Sequence, residues 1–141
     1  MTREDVVREA LTWERTPYHH HARIKGVGVD CAQLPAAVYE AVGLIPHLSP
    51  EYSEQWMMSR DEELYLNYVF PHAREIQREE IRPGDFVIWK WGRTFSHGAI
   101  VIDPPVVLHA VISARAVIRA NIDEQEELKR RPARFFTVFK D

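Results

Sequence analysis

Ser96-His97-Gly98-Ala99-Ile100-Val101-Ile102-Asp103-Pro104-Pro105-Val106-Val107-Leu108-His109-Ala110 is the stretch that decides how this chain folds. Two apolar runs rich in β-branched residues flank Asp103-Pro104-Pro105, and that tripeptide has the composition of a chain reversal. The twelve residues from His97 to His109 suit two adjacent antiparallel strands with one histidine on each. Similar runs lie on both sides of this pair. Phe86-Val87-Ile88-Trp89 follows the turn signal Pro83-Gly84-Asp85, and Ala116-Val117-Ile118 and Phe135-Phe136-Thr137-Val138-Phe139 come after it. The C-terminal half is therefore predicted to be an antiparallel sheet.

The N-terminal half has a helical period instead. Thr2 followed by Asp5 has the form of a capping box, and Val6, Val7, Ala10, Leu11 and Trp13 recur at helical spacing, which predicts a first helix to about Glu14. Residues 17–29 contain a proline, two glycines and the run His19-His20-His21, so they read as a loop. Beyond it Leu34, Val38, Tyr39 and Val42 fall on one face of a second helix that Gly43 would stop. Pro35 is tolerated there only because it lies near the first turn. From Leu44 to Gln77 the pattern is mixed: Pro46 and Pro50 mark a loop, Ser59 with Glu62 has capping-box form, and Leu64, Tyr65, Tyr68 and Val69 predict a short helix. Helices first and strands second define an α+β fold, expected as one domain over residues 1–141.

The loop at 17–29 leads to the only cysteine, in Gly28-Val29-Asp30-Cys31-Ala32-Gln33-Leu34. At a helix start the unpaired N–H groups and positive dipole end favour thiolate, which can lower a thiol from about 8.5 toward neutrality. A histidine on a nearby strand, His97, supplies a base, and His109 on the next strand supplies a group to orient it. Taken singly, Cys31 also reads as a small buried hydrophobe, His97 as a core histidine, His109 as a packed one and Asp30 as a helix cap.

Composition narrows the partners. The 141 residues, 45% hydrophobic, suit one globular domain. With 18 basic and 21 acidic side chains the net charge is −3, and no basic stripe is present, so no nucleic-acid partner is expected. Met1-Thr2-Arg3-Glu4-Asp5 has no apolar leader core, and no run approaches the ~18 apolar residues of a membrane span. Synthesis in the cytoplasm without a signal peptide, and no membrane insertion, are the expectations. A single cysteine makes no internal disulfide. In His19-His20-His21 adjacent side chains diverge and no carboxylate or cysteine stands beside them at ligand spacing, so no metal and no organic cofactor is expected. Trp89 and Trp91 alternate along one strand and share a face, as core or groove wall. Residues 123–131 read as a solvated helix or loop.

Taken in order, Thr16-Pro17-Tyr18, Asp30-Cys31, Arg82-Pro83-Gly84-Asp85-Phe86, Ser96-His97 and Leu108-His109-Ala110 carry a resemblance over roughly the whole chain. The sequence resembles the NlpC-type (NlpC/p-sixty) cell-wall peptidases, most of all the single-domain versions of phage tails and gene-transfer agents. The resemblance implies a papain-like fold and a cysteine endopeptidase that cuts peptidoglycan stem peptides through a Cys31 acyl-enzyme. In that scheme His97 is base and then acid, and His109 fixes its orientation. The implied bond is a γ-D-glutamyl link to a diamino acid. Tyr18 would point its hydroxyl at the forming oxyanion, Asp30 would anchor the free amino end of the stem, and Ser96 would join them in binding substrate. Tail-tip proteins as partners, and carriage in a phage tail or gene-transfer particle, are also implied. One departure is that Ala32-Gln33 stands where the family has Ser-Gly after the cysteine. Two other readings are a tail-tip structural or peptide-binding protein with little turnover, and an acyltransferase or amidase on the same scaffold.

Overall fold

A computed structural model describes residues 1–20, 22–46 and 70–141 of the chain. Helix α1 spans Arg3–Leu11 and begins with the expected capping box: the Thr2 hydroxyl accepts from the Asp5 N–H at 3.1 Å, and the Asp5 carboxylate accepts from the Thr2 N–H at 2.9 Å. It stops short of Glu14. The Thr12 hydroxyl donates to the Glu9 carbonyl at 2.6 Å, and the chain then turns through Arg15 at φ 72°. This side-chain bond competes with the helical ladder, which the apolar period alone does not reveal.

Within the segment expected to be loop, β1 (Arg23–Ile24) and β2 (Gly28–Val29) pair as a small antiparallel hairpin. Gly28 is required there by close approach, because a Cβ would lie 2.7 Å from the Cβ of His19. Helix α2 follows at Gln33–Ala41. Its first turn is tied back to Asp30, whose Oδ1 accepts from the N–H groups of Ala32 (3.1 Å) and Gln33 (2.9 Å) and whose carbonyl accepts from Leu34. Asp30 thus ties down the start of the helix, and Cys31 sits in the turn that leads into it. Gly43, at φ 78°, ends it as expected.

The sheet contains β3 (Arg74–Ile76), β4 (Phe86–Trp91), β5 (Thr94–Asp103), β6 (Val106–Val111), β7 (Ala116–Asn121) and β8 (Ala133–Thr137), all antiparallel in the order β3-β8-β4-β5-β6-β7. The Asp103-Pro104-Pro105 reversal joins β5 to β6 as predicted, with a cis bond between the prolines. Strand β5 opens at Thr94 rather than at His97, and β8 ends at Thr137, short of Phe139. The capping pattern at Ser59 and Glu62, the helix expected over residues 64–69, Pro50 and His21 lie outside the described residues.

Alternation along the strands gives the sheet two apolar faces. Phe86, Ile88, Ile100, Leu108 and Phe136 pack with Val6 and Ala10 of α1 and Leu34 and Val38 of α2. On the other face Val87, Trp89, Ala99, Val101 and Val107 pack with Ile122 and Leu128. Leu128 belongs to a short helix, α3 (Glu126–Lys129), so the segment expected as a solvated helix or loop is helical over only these four residues and inserts a fully buried leucine. The Arg82-Pro83-Gly84-Asp85 turn locks the helices to the sheet: the buried Asp85 carboxylate accepts from the Arg3 guanidinium (2.7 Å) and the Arg82 N–H (2.8 Å), while the Tyr39 hydroxyl donates to the Gly84 carbonyl at 2.7 Å.

Candidate active site

Three elements converge on Cys31. The capped start of α2 presents the thiol, whose S–H points to the Ser96 carbonyl with sulfur and oxygen 3.7 Å apart. Ser96 is the extra residue of a β-bulge, because Trp89 pairs with His97 while Lys90 pairs with Phe95. A bulge of this kind re-aims a strand next to a site. The third element is the chain before the hairpin, where Tyr18 bridges to Val29 and its N–H donates to the Arg115 carbonyl at 2.8 Å. The Tyr18 hydroxyl lies against the Cys31 sulfur, where it favours the thiolate.

Next to Ser96, the His97 ring packs against Trp91 (centroids 4.4 Å apart, 28° between planes) and Trp89 (5.9 Å). Its Nε2 lies 2.8 Å from Nδ1 of His109, with the two rings perpendicular. Both histidines are closed off, at 3% and 1% exposure, and Nε2 of His109 is buried without a hydrogen-bond partner. The expected pairing of histidines on neighbouring strands is therefore present. Cys31 and His97 meet through the Ser96-His97 backbone rather than through a direct hydrogen bond, and the imidazole packs against the tryptophans.

Burial decides the electrostatics. It pushes the Cys31 thiol up to about 12, helped by the Asp30 carboxylate and opposed by the Tyr18 hydroxyl and the backbone amides of Cys31 and Ala32. Desolvation of the sulfur thus works against the low thiol value expected from the helix start, and here it is the larger of the two effects. Burial likewise drives His97 well below 6.5, with His109 and Arg131 adding to the effect, and lowers His109 to about 4 against the pull of Glu127. Burial raises the Tyr18 phenol as well. These shifts all favour the uncharged thiol and imidazoles at neutral pH.

Asp30 ties down the helix start as described above. Among the described residues no group of three His, Cys, Asp or Glu side chains could hold a metal, and Nδ1 of His19 faces the His20 carbonyl at 3.1 Å. Sequence reasoning missed a buried polar set behind the site: Arg23 donates to Gln33 Oε1 at 2.8 Å and pairs with Glu40, fixing α2 to the hairpin. A signal was available, since Gln33 and Glu40 are seven residues apart and share a face of a largely apolar helix.

A nucleophile-bearing helix start, set beside a histidine pair on adjacent antiparallel strands, defines a papain-like α+β protein. The chain belongs to the NlpC/P60 family, whose model matches residues 15–131 and so contains Tyr18, Asp30, Cys31, Ser96, His97 and His109. The fold is similar to the NlpC/p60 domain of the peptidoglycan hydrolase SagA (18% identity, TM-score 0.64), covering 95% of this chain and 97% of that one. It is similar to NlpC1 from Trichomonas vaginalis (14%, TM-score 0.70), covering 95% of this chain and 42% of that one. RipD from Mycobacterium tuberculosis, described as a non-catalytic NlpC/p60 domain protein adapted to peptidoglycan binding, also matches (12%, TM-score 0.64, 97% of each chain). At these identities the likeness is one of fold. No curated protein sequence matches the chain.

Proposed function

We propose that this chain is a cysteine endopeptidase that hydrolyses a peptide bond in peptidoglycan stems. Family membership supports the substrate class, and the observation that carries the chemistry is the 2.8 Å contact between His97 Nε2 and His109 Nδ1. With Nε2 engaged, Nδ1 is the nitrogen left to take a proton from sulfur. Hydrogen bonds of this kind are often loose without substrate and tighten in the complex. Substrate in the groove displaces the Cys31 S–H from the Ser96 carbonyl toward that nitrogen.

Cys31 Sγ then attacks the peptide carbonyl carbon as its proton passes to His97 Nδ1. The tetrahedral oxyanion is held by the Cys31 backbone N–H and the Tyr18 hydroxyl, a contribution of about 3 kcal/mol per donor in enzymes of this type. His97 gives the proton to the leaving nitrogen, the C–N bond breaks, and a thioester on Cys31 remains. Water, deprotonated by His97, attacks the thioester, releases the carboxylic acid and restores the thiol. His109 keeps the imidazole in place throughout. The scheme uses no metal and no cofactor.

The finer reading is a γ-D-glutamyl bond to a diamino acid such as meso-diaminopimelate, with Asp30 receiving the free amino end of the stem and Ser96 lining the groove. Delivery in a phage tail or gene-transfer particle, together with tail-tip proteins, belongs to the same reading and rests on the ordered motifs. Incubation with synthetic L-Ala-γ-D-Glu-diaminopimelate, followed by mass spectrometry, tests it. Release of L-Ala-D-Glu supports it; an intact peptide beside cleavage of another stem bond overturns the specificity alone.

A further inference from the structure

Trp91 closes β4 just before the Gly92 turn and stacks on the His97 ring. The Arg131 guanidinium lies 3.7 Å from the centroid of the same indole, and its Nε donates to the Glu127 carbonyl at 2.9 Å. Two groups packed this closely on one planar ring must occupy opposite faces. The order is therefore His97, Trp91, Arg131. We infer that Trp91 and Arg131 are positioning residues for the histidine, a three-layer stack that holds the imidazole with its Nε2 on Nδ1 of His109.

The inference rests on the proposed reaction and extends it to residues 91 and 131. A stacked ring cannot flip without losing its contact, and a guanidinium over an indole is itself an attractive pair. Around His97 the ionisable groups are His109 from β6, Cys31 from the start of α2 and Arg131 beyond Trp91, with Glu127 of α3 acting on His109. Arg131 is the one fixed positive charge in this set. It opposes a proton on His97 and so keeps the base free to accept one.

The test is a titration of His97 followed by NMR in the full chain, alongside the pH profile of kcat/KM on stem peptide. Arg131→Gln and Arg131→Met both remove the charge, so a folding failure in one leaves the other; Arg131→Lys retains it. Removing the charge is expected to raise the His97 midpoint by about half a unit or more, moving the acid limb of kcat/KM to higher pH, while lysine restores the wild-type profile. Trp91→Leu is expected to lower kcat about tenfold with KM unchanged, and Trp91→Phe to recover most of it. An unchanged His97 midpoint in a folded charge-removing variant overturns the inference. If wild-type protein leaves every stem peptide intact, the proposed reaction fails, and the NMR shift still decides the stack.

Discussion

His97 and His109 meet nitrogen to nitrogen, Nε2 to Nδ1 at 2.8 Å, so a single proton is shared between two groups that can each donate or accept it. If that proton belongs to His97 Nε2, His97 Nδ1 is a bare lone pair and can act as base. His109 then carries its proton on Nε2, the buried atom with no partner. Leaving that N–H unpaired costs about 1–3 kcal/mol, comparable to what one placed catalytic group contributes. The opposite tautomer puts a proton on His97 Nδ1 and blocks transfer from sulfur. The mechanism selects the first arrangement.

Different demands on the two histidines predict different mutant behaviour. His97 must carry a proton, so His97→Ala and His97→Gln are each expected to lose about a thousandfold or more in kcat/KM. His109 only accepts a hydrogen bond, which an amide oxygen does too, so His109→Asn or His109→Gln should retain measurable activity and exceed His109→Ala. Steady-state kinetics on folded variants check this. Activity in His97→Gln equal to wild type reverses the roles.

Two buried histidines held neutral also make stability depend on pH. Both folded values lie below the unfolded 6.5, so between about 4 and 6.5 the unfolded chain binds more protons and stability rises with pH. The contribution is complete above 6.5 and is lost as pH falls below it. For His109 it is of the order of 3 kcal/mol. Thermal melts should show Tm climbing from pH 4.5 to pH 7 and level above, with a smaller climb in His109→Asn. A flat profile contradicts the buried neutral pair.

The free thiol should be sluggish. With Cys31 pushed up to about 12, iodoacetamide labelling without substrate is expected to be slow at pH 7, with a midpoint above the ~8.5 of a free thiol. Asp30→Asn removes the carboxylate that helps to raise the thiol while keeping a capping oxygen, so labelling should quicken with little loss of Tm; Asp30→Ala should in addition cost about 1 kcal/mol. A wild-type midpoint near 6 restores the dipole-dominated thiolate.

Asp85 is the structural counterpart of these site residues. Fully buried and bonded to Arg3 and the Arg82 N–H, it is expected to cost about 3–5 kcal/mol on replacement by alanine, since the Arg3 guanidinium loses a buried partner. Denaturant unfolding measures it. A loss below 1 kcal/mol contradicts the bracing role of the turn.

Much of the fold is legible in the sequence. The β5–β6 hairpin reads directly because uninterrupted β-branched runs flank a proline turn, and Thr2 and Gly43 mark helix ends through local chemistry. The small β1–β2 hairpin did not read, since two-residue strands have no period. Strand β3 pairs with β8, some sixty residues away in sequence, and carries no local signal. At the site, order and residue type point to Cys31, His97 and His109, which the fold places near one another. The packing around Cys31, the bulge at Ser96 and the stack from Trp91 to Arg131 arise from tertiary structure, and desolvation there works against the helix-start argument for the thiol.

The central claim is that Cys31 turns over wall peptides rather than only binding them, as RipD is described to do. Purified peptidoglycan sacculi incubated with wild-type protein and with Cys31→Ala, and compared by liquid chromatography and mass spectrometry, test it most directly. The prediction is stem fragments with new amino termini at the diamino acid, released by the wild type in the presence of a chelator and absent with Cys31→Ala. Sacculi that bind both proteins equally and release nothing contradict it.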